Sequence, residues 1–329
     1  MATITYRSNP DLPFILDGWK GNPHNGLRFF DPQHRFEQKF SNILRWQLTA
    51  NPQKAEKKNS TWKLQTITDK KFLSASGNSI TWLGHASFLI QFNGVKLLID
   101  PVLYRISGVV KRHSELPCAA TDLKPDYVLL SHFHRDHCDE RSLRDVYSAR
   151  QFQMITSLGG NDLVKRWLPG VQLTEMGWYQ QLELPAGITI THLPTQHWSN
   201  RFPWDTNQTL WGSYMISCGE TNIFFGGDSG YCDYPKQIAG LFPKIDYAMI
   251  GVGAYTPSYI MQAVHTSPQE AVQVVSDLKA TCFLPMHYGT FDLADEPLHE
   301  PEQLLREMEK KKMIGARLQI LKPGELLLF

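Results

Sequence analysis

From Ile80 onward the chain alternates short apolar runs with amphipathic ones, and many of the apolar runs end on a residue able to do chemistry. Ser87-Phe88-Leu89-Ile90 is followed by Lys96-Leu97-Leu98-Ile99 ending at Asp100, and Tyr127-Val128-Leu129-Leu130 ends at Ser131-His132. Further on, Ile188-Thr189-Ile190-Thr191 leads to His197, Ile223-Phe224-Phe225 to Asp228 and Thr281-Cys282-Phe283-Leu284 to His287. Runs of this kind, rich in β-branched and aliphatic residues, predict strands whose ends face a loop-lined cleft. Helices are predicted between them. Ser267-Pro268-Gln269-Glu270 is a capping box with proline at the first helical position, followed by Ala271, Val274, Val275 and Leu278 on one face. Another helix is predicted from near Pro301, with Leu304, Leu305 and Met308 as its stripe and Lys310-Lys311-Lys312 as a solvated C-terminal end. Strands and helices in alternation predict an α/β protein with helices covering sheet faces. Residues 1–78 read differently, with the turn-rich Gly21-Asn22-Pro23-His24-Asn25-Gly26 and a polar run at 53–59. They are expected to form an N-terminal extension packed on a core domain of residues 79–329, docking through Leu27-Arg28-Phe29-Phe30 and Ile43-Leu44-Arg45-Trp46.

Composition narrows the function classes. In 329 residues, 33 basic side chains nearly cancel 32 acidic ones, and this lack of a broad positive field argues against a nucleic-acid partner. No run approaches the roughly 20 apolar residues that cross a bilayer, and Met1-Ala2-Thr3-Ile4-Thr5-Tyr6 lacks the features of a signal peptide. Cytoplasmic residence is expected, with attachment to a membrane surface left open. Cys118, Cys138, Cys218, Cys232 and Cys282 are scattered and never spaced as Cys-x-x-Cys, so neither a disulfide framework nor a thiolate zinc site is expected. Cys138 and Cys232 lie near candidate metal ligands, but burial as small hydrophobes is the favoured reading.

The densest chemical signal is His132-x-His134-x-Asp136-His137. In an extended segment His132 and His134 share a face and can address one ion, while Phe133 points into the core. A turn before Asp139, a candidate helix cap, would carry Asp136 and His137 toward a second ion. Imidazoles and carboxylates without thiolates suit zinc in an open, catalytic site. Four ligands cannot complete two ions, and the later strand ends offer His197, Asp228 and His287. Asp228 follows Gly226-Gly227, where missing side chains leave room for an ion, and its carboxylate could bridge two. Taken singly, His197 also reads as a turn residue, Asp228 as a cap and His287 as a core histidine. Asp100 and His85 are candidates for fixing the tautomer of a ligand imidazole, or else turn residues.

This pattern, with a distant His, Asp and His in that order, resembles the hydrolase form of the metallo-β-lactamase superfamily over roughly residues 80–292. The resemblance implies a four-layer αβ/βα sandwich with a binuclear site at one edge of two packed sheets and two Zn2+ per chain. It assigns His132, His134 and His197 to the first zinc, Asp136, His137 and His287 to the second, and Asp228 with a hydroxide to the bridge.

A narrower likeness lies in Trp82-Leu83-Gly84-His85-Ala86, Pro194-Thr195-Gln196-His197-Trp198, Trp211-Gly212-Ser213, Gly227-Asp228-Ser229-Gly230-Tyr231-Cys232, Gly253-Ala254-Tyr255, His265-Thr266-Ser267-Pro268 and His287-Tyr288-Gly289-Thr290-Phe291. These segments resemble the branch of phospholipases D that hydrolyse N-acylphosphatidylethanolamine, with Ser229 in place of a usual threonine and Tyr288 in place of a usual tryptophan. The likeness implies a zinc phosphodiesterase that releases N-acylethanolamine and phosphatidic acid through the metal-bridging hydroxide. Asp136 and Asp228 would orient that hydroxide, and His265 would stabilise or protonate the leaving alkoxide. Trp198, Tyr255 and Tyr259, then Phe202, Trp204, Ile260 and Met261, are candidates for acyl-chain contact, with interior packing the competing reading. The loop Tyr104–Arg112 mixes apolar and basic residues in a way that suits a phospholipid substrate and peripheral membrane contact, and self-association stays open. The alternatives are a lactonase acting on a sugar-phosphate or acyl lactone, and an inactive metal-binding regulatory protein.

Overall fold

The computed structural model describes residues 3–36 and 40–329. The strand Tyr127–Leu130 shows how the sequence builds it. Tyr127 and Leu129 enter one apolar cluster and Val128 and Leu130 another, the split between faces that a period of two produces. On the neighbouring strand Val95–Ile99, Leu97 and Ile99 join the first cluster and Leu98 the second. Both faces are therefore covered, which is why these strands read as unbroken apolar runs rather than as alternation. One face meets Leu143 and Val146 of helix Glu140–Ala149 and Val164 and Trp167 of helix Asn161–Trp167. The other meets a second sheet through Ile190, Tyr214, Ile216 and Phe225.

The first sheet runs in the order Leu326–Leu328, Ser79–Gly84, Ser87–Phe92, Val95–Ile99, Tyr127–Leu130, Gln153–Ser157 and Gln172–Met176, its last four strands parallel. The second runs Arg317–Leu318, Ala280–Met286, Ile245–Gly251, Thr221–Phe225, Ser213–Cys218, Ile188–Leu193 and Gln181–Leu184, its first four parallel. Helices Tyr234–Leu241 and Pro268–Asp277 pack against this second sheet with Ile238, Ala271, Val274 and Val275. Helix, sheet, sheet and helix make the predicted four-layer αβ/βα sandwich. Asp100, Ser131, Gly226 and His287 each follow the carboxyl end of a parallel strand, the edge at which open α/β sheets bind ligands.

Local details follow the chain's punctuation. Ser267 caps its helix by accepting from the Glu270 N–H, and the Glu270 carboxylate accepts in return from the Ser267 N–H at 2.9 Å. The helix predicted from Pro301 begins one residue earlier, Glu300–Lys310, and buries Pro301, Leu305 and Met308 while Leu304 stays half-buried. All five cysteines are free and buried. Ahead of the sandwich, Phe29 is buried, the Asn22 side chain accepts from the Trp178 N–H at 3.1 Å, and the Trp46 indole donates to Asp295 at 3.0 Å. Leu27 and Leu44, expected to dock, are exposed, because Phe29 and Trp46 take the contacts in their segments. We propose the boundary between this extension and the core domain near residue 79, where strand Ser79–Gly84 begins. No helix among the described residues is long and apolar enough to cross a membrane.

Tyr214 links the two sheets. It is fully buried, and its hydroxyl donates to the Leu130 carbonyl at 2.7 Å, two residues before His132. Tyr214→Phe is expected to lower the unfolding free energy by about 1–2 kcal/mol with the fold retained. Chemical denaturation checks this, and an unchanged midpoint would mean that the bond contributes nothing.

Candidate metal centre

The strand ending at Leu130 delivers Ser131, whose N–H donates to Asp100 at 2.8 Å. Phe133 then enters the apolar cluster under the helices. The chain turns at once, with the N–H groups of His137 and Cys138 donating to the His134 carbonyl at 3.1 and 2.9 Å. Asp139 caps the next helix by accepting from the Ser142 N–H at 2.9 Å. An extended step followed by a capped turn thus puts four chemically active side chains within six residues of sequence, as the spacing predicts.

Two groups of four donor atoms result, each within 4.8 Å internally: His132, His134, His197 and Asp228, and beside them His85, Asp136, His137 and His287; Asp100 with His132 and His137, and His265 with Asp228 and His287, form smaller overlapping ones. Proton positions explain what the first group is for. His132 Nδ1 lies 2.9 Å from the Ser131 hydroxyl, which itself donates to Asp100 at 2.5 Å, and His197 Nδ1 donates to the Val264 carbonyl at 3.0 Å. Each ring has thereby committed its proton away from the centre and presents a bare Nε2 inward. Both bare nitrogens lie close to His134 Nδ1, at 2.9 and 3.1 Å. A single proton on His134 can satisfy only one of them. His134 Nε2 and His287 Nδ1 are buried without a hydrogen-bond partner, and His137 Nε2 and His287 Nε2 face only the carboxylates of Asp136 and Asp228. Buried ring nitrogens without partners, gathered with carboxylates, make a donor set that fits a divalent metal.

In the second group, Asp136 Oδ2 lies 3.2 Å from His85 Nε2 and 3.5 Å from His287 Nε2, while Asp228 approaches His137 at 3.0 Å and His287 at 3.3 Å. Asp228 is also 3.9 Å from His132 and 3.8 Å from His197, so it stands between the two groups. Burial opposes ionisation of Asp136 and Asp228, yet the surrounding imidazoles, His137 foremost, hold both carboxyls well below the usual range. Burial pushes His132 and His197 well down, His134 and His265 to about 4 and His85 to about 3, the neutral form that ligation requires. His137 and His287 go the other way, against the effect of burial, because the two carboxylates face them.

The remaining candidates separate. Asp100 is buried and accepts from His137 Nδ1 at 2.8 Å, orienting that ring. His265 faces the centre, 3.7 Å from Asp228, and keeps 17% of its side chain exposed. Trp198 lies edge-on to His134 with ring centres 4.6 Å apart. The Tyr255 hydroxyl is instead committed to Glu300, and the Tyr259 ring carries the Arg45 guanidinium 4.2 Å from its centre. Cys138 and Cys232 belong to neither donor group.

Three contributors escaped sequence reasoning. Ser131 relays Asp100 to His132, Thr290 accepts from the His85 N–H at 2.8 Å, and Glu296 binds the N–H groups of Ala254 and Thr256 at 2.6 and 3.0 Å beside His287. None stands out in sequence, since serines, threonines and Asp-Glu-Pro turns are common. His85, Asp100 and His287 also share a left-handed backbone (φ 54°, 40° and 65°), a conformation unfavourable for non-glycine residues that collects at functional sites.

Gly160 offers a test of the scaffold. A Cβ there would lie 2.0 Å from the Phe133 ring, between the two leading histidines, whereas Gly240 faces open space. Gly160→Ala is expected to weaken metal binding roughly 10–100-fold, and Gly240→Ala to leave it unchanged. Competition with a chromogenic chelator reads both, and equal affinities would show that Phe133 does not position the histidines.

With this geometry in hand, residues 96–288 match the family described as "Beta-lactamase superfamily domain". A Caenorhabditis elegans protein named N-acyl-phosphatidylethanolamine-hydrolyzing phospholipase D 1 is 31% identical over 269 residues, 76% of this chain and 74% of its own length. A mitochondrial protein of the same name from Saccharomyces cerevisiae is 32% identical over 68% of this chain, which spans about half of that relative's length. Among solved structures, a metallo hydrolase from the archaeon Ignicoccus hospitalis superposes with a TM-score of 0.58 at 19% identity, covering 77% of this chain and 98% of that one. That last likeness concerns the fold alone.

Proposed function

This chain belongs to the metallo-β-lactamase superfamily and is a metal-dependent hydrolase within it, and we propose that it is a zinc-dependent phosphodiesterase of phospholipase D type acting on N-acylphosphatidylethanolamine. The observation that carries the chemistry is the position of Asp228, one carboxylate within 4 Å of histidines from both donor groups. The names of two relatives and the segments flanking the donors support the choice of substrate.

In this reading His132, His134 and His197 would hold one zinc ion and Asp136, His137 and His287 the other, with Asp228 placed between the two groups. Two zinc ions held there would lower the pKa of water toward about 7 and draw charge from a phosphoryl oxygen. The protein's own groups do the rest. Asp100 keeps the His137 proton on Nδ1, and Ser131 does the same for His132, so each ring faces inward with a lone pair. Asp136 and Asp228 accept hydrogen bonds from the attacking water and aim its oxygen at phosphorus. His265, partly exposed beside Asp228, hydrogen-bonds the departing oxygen. Trp198, packed on His134, offers an apolar wall to the substrate. One water is consumed: its oxygen ends on phosphatidic acid, and the N-acylethanolamine alkoxide leaves with a proton.

Mass spectrometry of products from N-acylphosphatidylethanolamine, ordinary phospholipids and lactones, with metal content measured on the same sample, tests the reading. Two zinc ions per chain and release of N-acylethanolamine are expected, and lactone opening without diester cleavage would replace the proposal with a lactonase. His132→Ala and Asp228→Asn should each cut turnover by at least about a thousandfold with the fold retained by circular dichroism. Undiminished turnover in either variant overturns the ligand assignment.

A further inference from the structure

Two loops leave the metal centre and end in exposed apolar tips. The first follows Asp100. Its turn is closed by the N–H groups of Val109 and Val110 donating to the Ile106 carbonyl at 3.0 and 3.1 Å, while Ile106 itself is buried with Val102 and Phe291. Val109 at the tip is 78% exposed. The second loop follows His197. There the Asp205 carboxylate accepts from the Arg201 and Phe202 N–H groups, both at 2.9 Å, and so holds out Phe202 and Trp204. These two rings stack at 4.9 Å and 3° between planes, and Trp204 is 69% exposed.

Arg135, between His134 and Asp136, ties the loops together. Its Nη1 donates to the Ser107 hydroxyl at 3.2 Å, its Nε donates to the Arg201 carbonyl at 3.2 Å, and its guanidinium lies 5.1 Å from the Phe202 ring centre. Arg105 and Lys111 are exposed beside Val109. Within Tyr104–Arg112 and residues 198–209 the one carboxylate, Asp205, is turned onto backbone N–H groups, and Glu115 lies three residues past the first of these segments.

We propose that these two loops, coupled through Arg135, form a docking face for an anionic lipid surface beside the metal centre. Internal hydrogen bonds build both tips, so the exposure of Val109 and Trp204 is a designed feature rather than a frayed end. Isolated apolar tips ringed by cations suit the boundary between headgroups and acyl chains, where tryptophan is favoured and arginine and lysine meet lipid phosphates. A protein partner would ask for a broad packed patch instead. The face gains its purpose from the phospholipid reading above, since a substrate embedded in a bilayer must be met there, but it is a binding property measurable without turnover.

Sedimentation of the zinc-loaded protein with vesicles tests it, comparing phosphatidylcholine alone with a phosphatidylcholine–phosphatidylglycerol mixture, neither containing N-acylphosphatidylethanolamine. Binding to the mixture and weak binding to the neutral vesicles are expected, falling with added salt. Trp204→Ser and Val109→Asp should each weaken binding at least about tenfold, and Lys111→Glu by more than the roughly fivefold expected for loss of one charge. Met313→Ser removes another exposed apolar residue, 58% exposed and outside both loops, and should change nothing. Absence of binding to the mixture, binding indifferent to lipid charge, or equal losses for Met313→Ser and Trp204→Ser would overturn the proposal. Because the vesicles hold no substrate, failure here leaves the hydrolase reading intact, and failure of that reading leaves vesicle binding to be measured.

Discussion

Each neutral imidazole has one proton, and the direction in which it points decides what the ring can do. The structure depends on settling that direction for several buried histidines at once. Val264 takes the proton of His197 with a backbone carbonyl, Ser131 faces His132 with a hydroxyl, and Asp100 faces His137 with a carboxylate. Three different acceptors on three different segments give the same result, an inward Nε2. Only one of the inward nitrogens of His132 and His197 can take the His134 proton, and a buried nitrogen left unsatisfied costs roughly 1–3 kcal/mol. A fold carries such a cost where a ligand is meant to offset it.

The sandwich makes this arrangement affordable in geometry. Strands packed on both faces cannot shift without disturbing two apolar clusters, so residues at their ends are placed more firmly than loop residues usually are. Phe133 illustrates the coupling: anchored in the cluster beneath the helices, it fixes the backbone that carries a histidine on each side. Gly160 must lack a side chain to admit that ring. Packing and chemistry are here the same constraint seen from two sides of one strand end.

Much of this was legible in the chain. His132, His134, Asp136 and His137 announce themselves by local spacing, and the strands leading to His197, Asp228 and His287 by apolar runs bounded with turn residues. The capping box at Ser267 gave its helix to the residue. What stayed hidden has physical reasons. Ser131 and Thr290 act through single hydrogen bonds that depend on where distant segments lie, and no local pattern marks them. Tyr255 looked available because an aromatic next to a glycine-rich loop can face either way, and only the partner on the helix Glu300–Lys310 shows which. Leu27 and Leu44 stand exposed in the segments expected to dock, because apolar bulk says that something docks, not which side chain does.

The donor groups also draw on both halves of the chain. His132, His134, Asp136 and His137 come from the segment after a strand of one sheet, and His197, Asp228 and His287 from segments after strands of the other. Neither sheet alone holds a full set of either group. The complete centre exists only once the seam between the sheets has closed, so an ion held there would act as a rivet across the two halves. Its loss would be felt as a loosening of that seam, beginning at the strand ends that carry the donors.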